Sequence, residues 1–388
     1  MRDSGTRSPQ QARLSSRRAG RDAASGPGDP GPPMPDELSP RHVGRRLLEF
    51  ALVGVVIGLL VLLGPGLGSL RQRVSHASPG WLAVGMALEV LSALSYVVIF
   101  RAVFCRRMGW RLSYQIGMAE QGANSVLSVS GAGGLALGAW ALRRGGMGTE
   151  HVARRSVAFF FLTSLANVET LVVFALLYLM GILHHDRDPA LTYAFAAAGA
   201  LATAIVVLGL PRLRPLPAAG GPDASRIARG LRFIRNSLGQ GVRDGLLMLR
   251  QRPIAILAGS VGVMAFDLAV LGVCFKAFGY SPAVGVLVLG YLIGQLGGNI
   301  PIPGGIAGLD AGLIGVFALY HAPLAATTAA VLVYHAISLW VPGLLGTVAF
   351  LQLRRTLQRE KQPAAMCMPL AEPIQTVPLP AGTGAGST

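Results

Sequence analysis

Between residues 47 and 352 the chain alternates long apolar runs with short arginine-bearing connections. A helix crossing the hydrocarbon core needs about 20 apolar residues. Six stretches fit, roughly 47–64, 80–103, 156–183, 190–210, 253–278 and 324–352. Two further apolar stretches, 112–142 and 283–319, are interrupted at their centres. The second carries Gly297, Gly298, Asn299, Pro301, Pro303, Gly304 and Gly305 within nine residues, and the first breaks at Ser128–Gly134. Prolines and glycines inside a helix free backbone N–H and C=O groups that lipid cannot pair, so such breaks persist only where protein or a polar cavity surrounds them. Broken helices of this kind are typical of transporter substrate sites.

Arginine placement predicts the topology, because positive residues stay on the cytoplasmic side. Arg41, Arg45 and Arg46 precede the first run, and Arg101, Arg106, Arg107 and Arg111 lie at or after the end of the second. Arg143, Arg144, Arg154 and Arg155 precede the third, and Arg354 and Arg355 follow the last. Arg212, Arg214 and seven arginines from Arg226 to Arg252 separate the fourth from the fifth. Arg71, Arg73 and Arg187 are the exceptions, falling outside. Stretch 112–142 therefore enters and leaves from the cytoplasm, and its 31 residues are too few for two crossings. It is expected to be a re-entrant hairpin, and 283–319 a second hairpin from the opposite face. The expected fold is an all-α polytopic membrane protein with both termini cytoplasmic. It has six full spans and two re-entrant hairpins, in an inverted repeat with halves at about 80–183 and 253–352. Weak internal symmetry agrees: Gly133-Gly134-Leu135-Ala136 resembles Gly304-Gly305-Ile306-Ala307, and Val157 with Ser164-Leu165 matches Val331 with Ser338-Leu339.

The linker 224–251 has its own pattern. Ile227, Leu231, Ile234, Leu238, Val242, Leu246 and Leu249 form a helical stripe, with arginines at other positions. A helix lying in the membrane interface is expected there, with a solvated loop as the alternative. Segments 1–45 and 356–388 have the composition of disordered tails, flanking a transmembrane domain at 46–355. The first apolar run begins too far from Met1 for a signal peptide, so a retained span is expected.

Composition narrows the class. Of 388 residues, 52% are hydrophobic and 13% charged, as in an integral membrane protein. The net charge of +16 would suggest nucleic acid in a soluble protein, but here the arginines flank apolar spans, so no nucleic-acid partner is expected. Cys105, Cys274 and Cys367 have no metal or redox spacing and read as incidental. There is no phosphate loop, zinc motif or serine elbow, so neither cofactor, metal nor enzymatic activity is expected.

Ionisable and polar groups at membrane depth are costly and mark candidate sites. Glu89, Glu120, Asn124, Glu169, Asp267, Asp310, Tyr334 and His335 fall within apolar stretches. With the break residues Gly133, Gly134, Asn299, Pro301, Pro303, Gly304 and Gly305, they form the candidate substrate pathway. The alternative is that individual members pair with one another across helices. Arg101, Arg154 and Arg155 are candidates for docking a lipid phosphate, with plain topology-setting as the alternative.

Three further features carry a family resemblance. They are the first-hairpin Gly-Gly followed by Leu142-Arg143-Arg144, the linker ending Leu249-Arg250-Gln251-Arg252-Pro253, and the motif Pro303-Gly304-Gly305-Ile306-Ala307-Gly308-Leu309-Asp310-Ala311-Gly312. Over roughly 47–355 the chain resembles the lysylphosphatidylglycerol synthase transmembrane region, or flippase-like, family. Asp310 stands near the family's usual Glu, and Tyr334-His335 matches a usual Tyr-Arg pair. The first half departs from the pattern: no Asp or Arg lies between Gly133 and Ala141, and Phe160-Phe161 replaces a usual Glu-Arg. The family includes the flippase half of the multiple peptide resistance factor; the present sequence shows no synthase domain. The resemblance implies a lipid flippase-like protein of the cell inner membrane, moving a phospholipid or lipid-linked intermediate with an anionic phosphate head. The alternative is a non-transporting membrane partner that binds lipid or recruits a separate synthase.

Overall fold

A computed structural model of the chain describes residues 52, 77–126, 132–182, 190–213, 226–297, 306–360 and 367. Among them no strand occurs. Four helices are long and apolar enough to cross a membrane: α1 (Pro79–Phe104), α4 (Thr149–Leu179), α7 (Pro253–Ala277) and α10 (Leu324–Arg359). They coincide with four of the six expected spans. The stretch 190–210 forms a shorter helix, α5 (Ala190–Ala204), which widens into a π-helical turn at Ile205–Gly209. It ends in a 3-10 turn at Leu210–Arg212, where Pro211 cannot continue the hydrogen-bond ladder. The run 47–64, apart from Leu52, and most of both tails lie outside the described residues.

Each interrupted stretch is a pair of short helices packed together: α2 (Trp110–Val126) with α3 (Ala132–Arg144), and α8 (Val284–Gly297) with α9 (Ile306–Leu319). At 1.5 Å per residue these reach only about 20–25 Å, short of the roughly 30 Å hydrocarbon core. Asn299, Pro301, Pro303, Gly304 and Gly305 lie outside the described residues.

Small residues let the helices approach closely, the usual solution where lipid removes the hydrophobic drive for association. The most extensive contact is between α1 and α7. A Cβ on Gly259 would lie 2.6 Å from Ile99 Cβ, and one on Gly262 would lie 2.7 Å from Ser95 Oγ. Beyond the second point Ser92 Oγ donates to the Val263 carbonyl at 3.1 Å. Helix α2 packs on α10 and helix α8 packs on α4, so each pair of short helices touches a long helix remote from it in the chain.

Apolar contacts divide into two main clusters at opposite ends of the long helices. Hairpin residues Leu112, Ile116, Leu137 and Trp140 share one with Phe104, Met147, Ile256 and Leu353 at the arginine-bearing ends. Hairpin residues Leu289, Leu292, Leu313 and Phe317 share the other with Leu171, Ala277, Ala322 and Val331. The phenyl rings of Phe100 and Phe104 (centroids 4.6 Å apart) and of Phe275 and Phe317 (4.9 Å) sit in the two clusters.

The expected linker helix is present as α6 (Arg226–Gln251). Its apolar stripe divides between two surroundings. Val242 and Met248 are buried, while Leu231 and Ile234 are 63% and 55% exposed. Gly241 and Gly245 seat the helix on α4, where added Cβ atoms would meet Val157 at 2.5 Å and Phe161 at 2.9 Å.

The cysteine expectation needs correction. Cys105 and Cys367 are joined by a disulfide with Cα atoms 5.6 Å apart, while Cys274 is free and buried. A separation of 262 residues carries no spacing signal; the chain after α10 folds back to the α1–α2 turn.

Candidate substrate pathway

Asp267 lies near the middle of α7, in an otherwise apolar helix. Its Oδ2 accepts hydrogen bonds from Tyr291 Oη at 2.5 Å and Tyr334 Oη at 2.8 Å. The first tyrosine comes from hairpin helix α8 and the second from α10, so one carboxylate oxygen ties three elements together. Ser338, one turn after Tyr334, and Gln295, one turn after Tyr291, lie beside these groups, and Ser338 Oγ donates to the Tyr334 carbonyl at 2.9 Å. Beside them His335 Nδ1 meets Asp310 Oδ1, linking α10 to hairpin helix α9. Both side chains remain partly open, 15% and 17% exposed.

Glu89 on α1 approaches the same centre, within electrostatic reach of Asp267. It is only 5% exposed, and its Oε2 has no hydrogen-bond partner among the described residues. Two carboxylates thus lie within electrostatic reach of one another between apolar helices, where an unpaired charge is expensive. Such a pair can hold a proton or a small cation.

The first hairpin has a different polar arrangement. Asn124 Oδ1 accepts from the Gly134 backbone N–H at 3.0 Å and closes α3 on α2. Gly134 is required there, since a Cβ would lie 2.3 Å from Asn124 Oδ1 and 2.4 Å from the Glu120 carbonyl. Glu120 is buried, bonded to Tyr96 on α1, and fills the space beside Gly138. Gly133 is half-buried beside them. These residues join the hairpin internally and to α1.

The remaining candidates separate. Glu169 is exposed on α4 and joins neither cluster among the described contacts. Arg101 donates from Nε to the Met108 carbonyl at 2.8 Å and lies 4.4 Å above the Trp110 ring. Arg154 makes a two-pronged pair with Asp244 of α6, at 2.8 and 3.0 Å. Arg155 donates to Met248 Sδ at 2.8 Å. All three arginines therefore have internal roles, and Arg154 and Arg155 hold the linker helix.

Sequence reasoning missed Tyr96, Tyr291, Gln295 and Ser338. A signal was available for three of them: Tyr291 and Gln295, like Tyr334 and Ser338, are polar pairs four apart, so each pair shares one face of an apolar helix. No group of three or more metal-ligating side chains occurs among the described residues.

The model of the family described as lysylphosphatidylglycerol synthase TM region matches residues 47–346, most of the chain and all of the polar network. The chain belongs to that family. As a lysylphosphatidylglycerol synthase TM region protein it is a membrane protein by family and by its apolar helices. No curated protein and no solved structure was found to match it.

Proposed function

We propose that this chain is a lipid flippase-like transporter of the inner membrane, moving a phospholipid or lipid-linked intermediate between leaflets without enzymatic chemistry. The observation that carries this reading is the partly open polar network of Asp267, Tyr291, Tyr334, Asp310 and His335, built where a broken helix meets two long ones. Polar groups at that depth are costly unless a substrate or ion uses them. The head group would pass between the hairpin tips, and the acyl chains would stay in hydrocarbon.

The architecture we read is an inverted repeat: α1–α4 with the first hairpin, and α7–α10 with the second. Its support is the reciprocal packing of each hairpin on the other half's closing helix, and the placement of the hairpins in separate apolar clusters. With the arginine pattern this gives cytoplasmic termini and hairpins approaching from opposite faces. The test is leaflet-resolved movement of labelled phosphatidylglycerol and other phospholipids in vesicles carrying the purified protein. Binding without movement would instead favour a membrane partner of a lipid or glycan synthase.

A further inference from the structure

Away from the Asp267 network, a cleft of about 400 Å³ opens between the start of α2 and the last turns of α10. Arg111, Gln352, Arg355, Thr356, Arg359 and Glu360 line it. Its volume is within the roughly 300–1,000 Å³ range of small-molecule sites. Gln352, Thr356 and Arg359 are spaced by four and three and so share one face of α10, with Arg355 adjoining. Arg111 faces them from an element more than two hundred residues earlier in the chain. Three guanidinium groups meet one carboxylate, and none of the three is in an ion pair among the described residues.

Both walls are held. On one side, Arg101 fixes the turn before Arg111 through the Met108 carbonyl and the Trp110 ring. On the other, Leu353 is fully buried, and the chain after α10 is tied to Cys105 of that same turn. Guanidinium forks suit the oxygens of a phosphate, and the Thr356 hydroxyl and Gln352 amide add neutral donors.

An apolar track continues from the cleft. Leu344, Val348 and Leu351 are 60%, 53% and 52% exposed. They lie four and seven residues along the helix from one another, and Arg355 extends the same face by another turn. Cationic groups at the helix end above an exposed apolar stripe match an amphiphile, a phosphate head with an acyl chain below it. We propose that this cleft binds the phosphate of an anionic lipid in the leaflet at the arginine-bearing side, with an acyl chain along Leu344, Val348 and Leu351. None of these residues belongs to the Asp267 network, and binding here does not require transport.

The test uses the purified full-length chain in detergent, titrated with phosphatidylglycerol or phosphatidylcholine, with bound lipid counted by native mass spectrometry. Wild type should retain phosphatidylglycerol in preference to phosphatidylcholine. The exposed-residue variant Arg355→Gln/Arg359→Gln should weaken that retention by about tenfold or more. Arg106→Gln/Arg107→Gln, exposed but outside the cleft, should leave it unchanged. Val348→Asn/Leu351→Asn should weaken binding of long-chain but not dihexanoyl phosphatidylglycerol. Unaltered retention by Arg355→Gln/Arg359→Gln, or equal retention of phosphatidylcholine by wild type, overturns the site. Displacement of the lipid by inorganic pyrophosphate at equal concentration overturns the lipid assignment in favour of a soluble phosphate compound. A chain that binds in this way yet moves no lipid in vesicles would sink the flippase reading and leave the cleft intact.

Discussion

Tyr334 donates its hydroxyl to Asp267 Oδ2 at 2.8 Å, joining α10 to α7. Tyr291 reaches the same oxygen from the hairpin between them. The second hairpin is therefore held by a carboxylate as well as by apolar packing. Tyr334→Phe and Tyr291→Phe should each lower stability by only about 1 kcal/mol, the usual scale of a hydrogen bond between membrane helices. If the network also carries substrate, lipid transport should fall much further than thermal stability does. Equal modest losses in both would mark a purely structural network.

Asp267→Asn and Asp310→Asn are expected to insert and fold but to transport poorly. The amide is isosteric but removes the ionisable group, beside the Tyr291 and Tyr334 hydroxyls in one case and against His335 in the other. Reconstituted transport at the wild-type rate in both variants would return these residues to the pairing alternative.

Helices α2 and α10 meet backbone to backbone at Gly122 and Gly346. A Cβ on Gly346 would lie 2.4 Å from Gly122 Cα and 2.5 Å from the Met118 carbonyl. Gly346→Leu should therefore destabilise by about 2–3 kcal/mol through overpacking. Gly315→Leu, with open space at its Cβ, should change little. Melting of the detergent-solubilised proteins compares the two directly, and equal midpoints would mean that the helices separate at this point.

The Arg154–Asp244 pair predicts a rescue. Asp244→Ala strands a half-buried guanidinium whose Nε already has no partner, while Arg154→Ala/Asp244→Ala removes both charges. The double variant should be at least as stable as Asp244→Ala, and α6 should become more accessible to protease in the single variant. A double variant that is less stable than either single would assign the seating of α6 to something other than this pair.

Topology is open to cysteine labelling in a background lacking the native cysteines. Positions 143–155, across the α3–α4 connection, should react from the cytoplasmic side, as should positions near either terminus. Labelling of that connection from outside would break the inverted-repeat reading. On the proposed topology Cys105 and Cys367 face the cytoplasm, where the bond between them would be held reduced until the protein meets an oxidant. Their proximity predicts that oxidation after purification, with a protease site placed in 214–225, leaves the two fragments joined until reductant is added. Separation without reductant would place the two thiols apart.

The residue pattern by itself determined four long membrane-grade helices and the two stretches that form pairs of short ones, because the need to pair every backbone group in hydrocarbon acts locally along the chain. Asp267, Asp310, Tyr334 and His335 were legible for the same reason: a costly group in an apolar run is visible without neighbours. What those groups touch was not. Tertiary packing alone put Tyr291 and Tyr334 on one carboxylate oxygen and set Glu89 against Asp267. It also engaged Arg154 and Arg155 in holding α6 rather than leaving them free for phosphate, and left Glu169 on an exposed face. The pairing of Cys105 with Cys367 is likewise decided by contact between distant segments. Periodicity reports the environment a helix face needs, whereas the partner that supplies it depends on how remote helices are brought together.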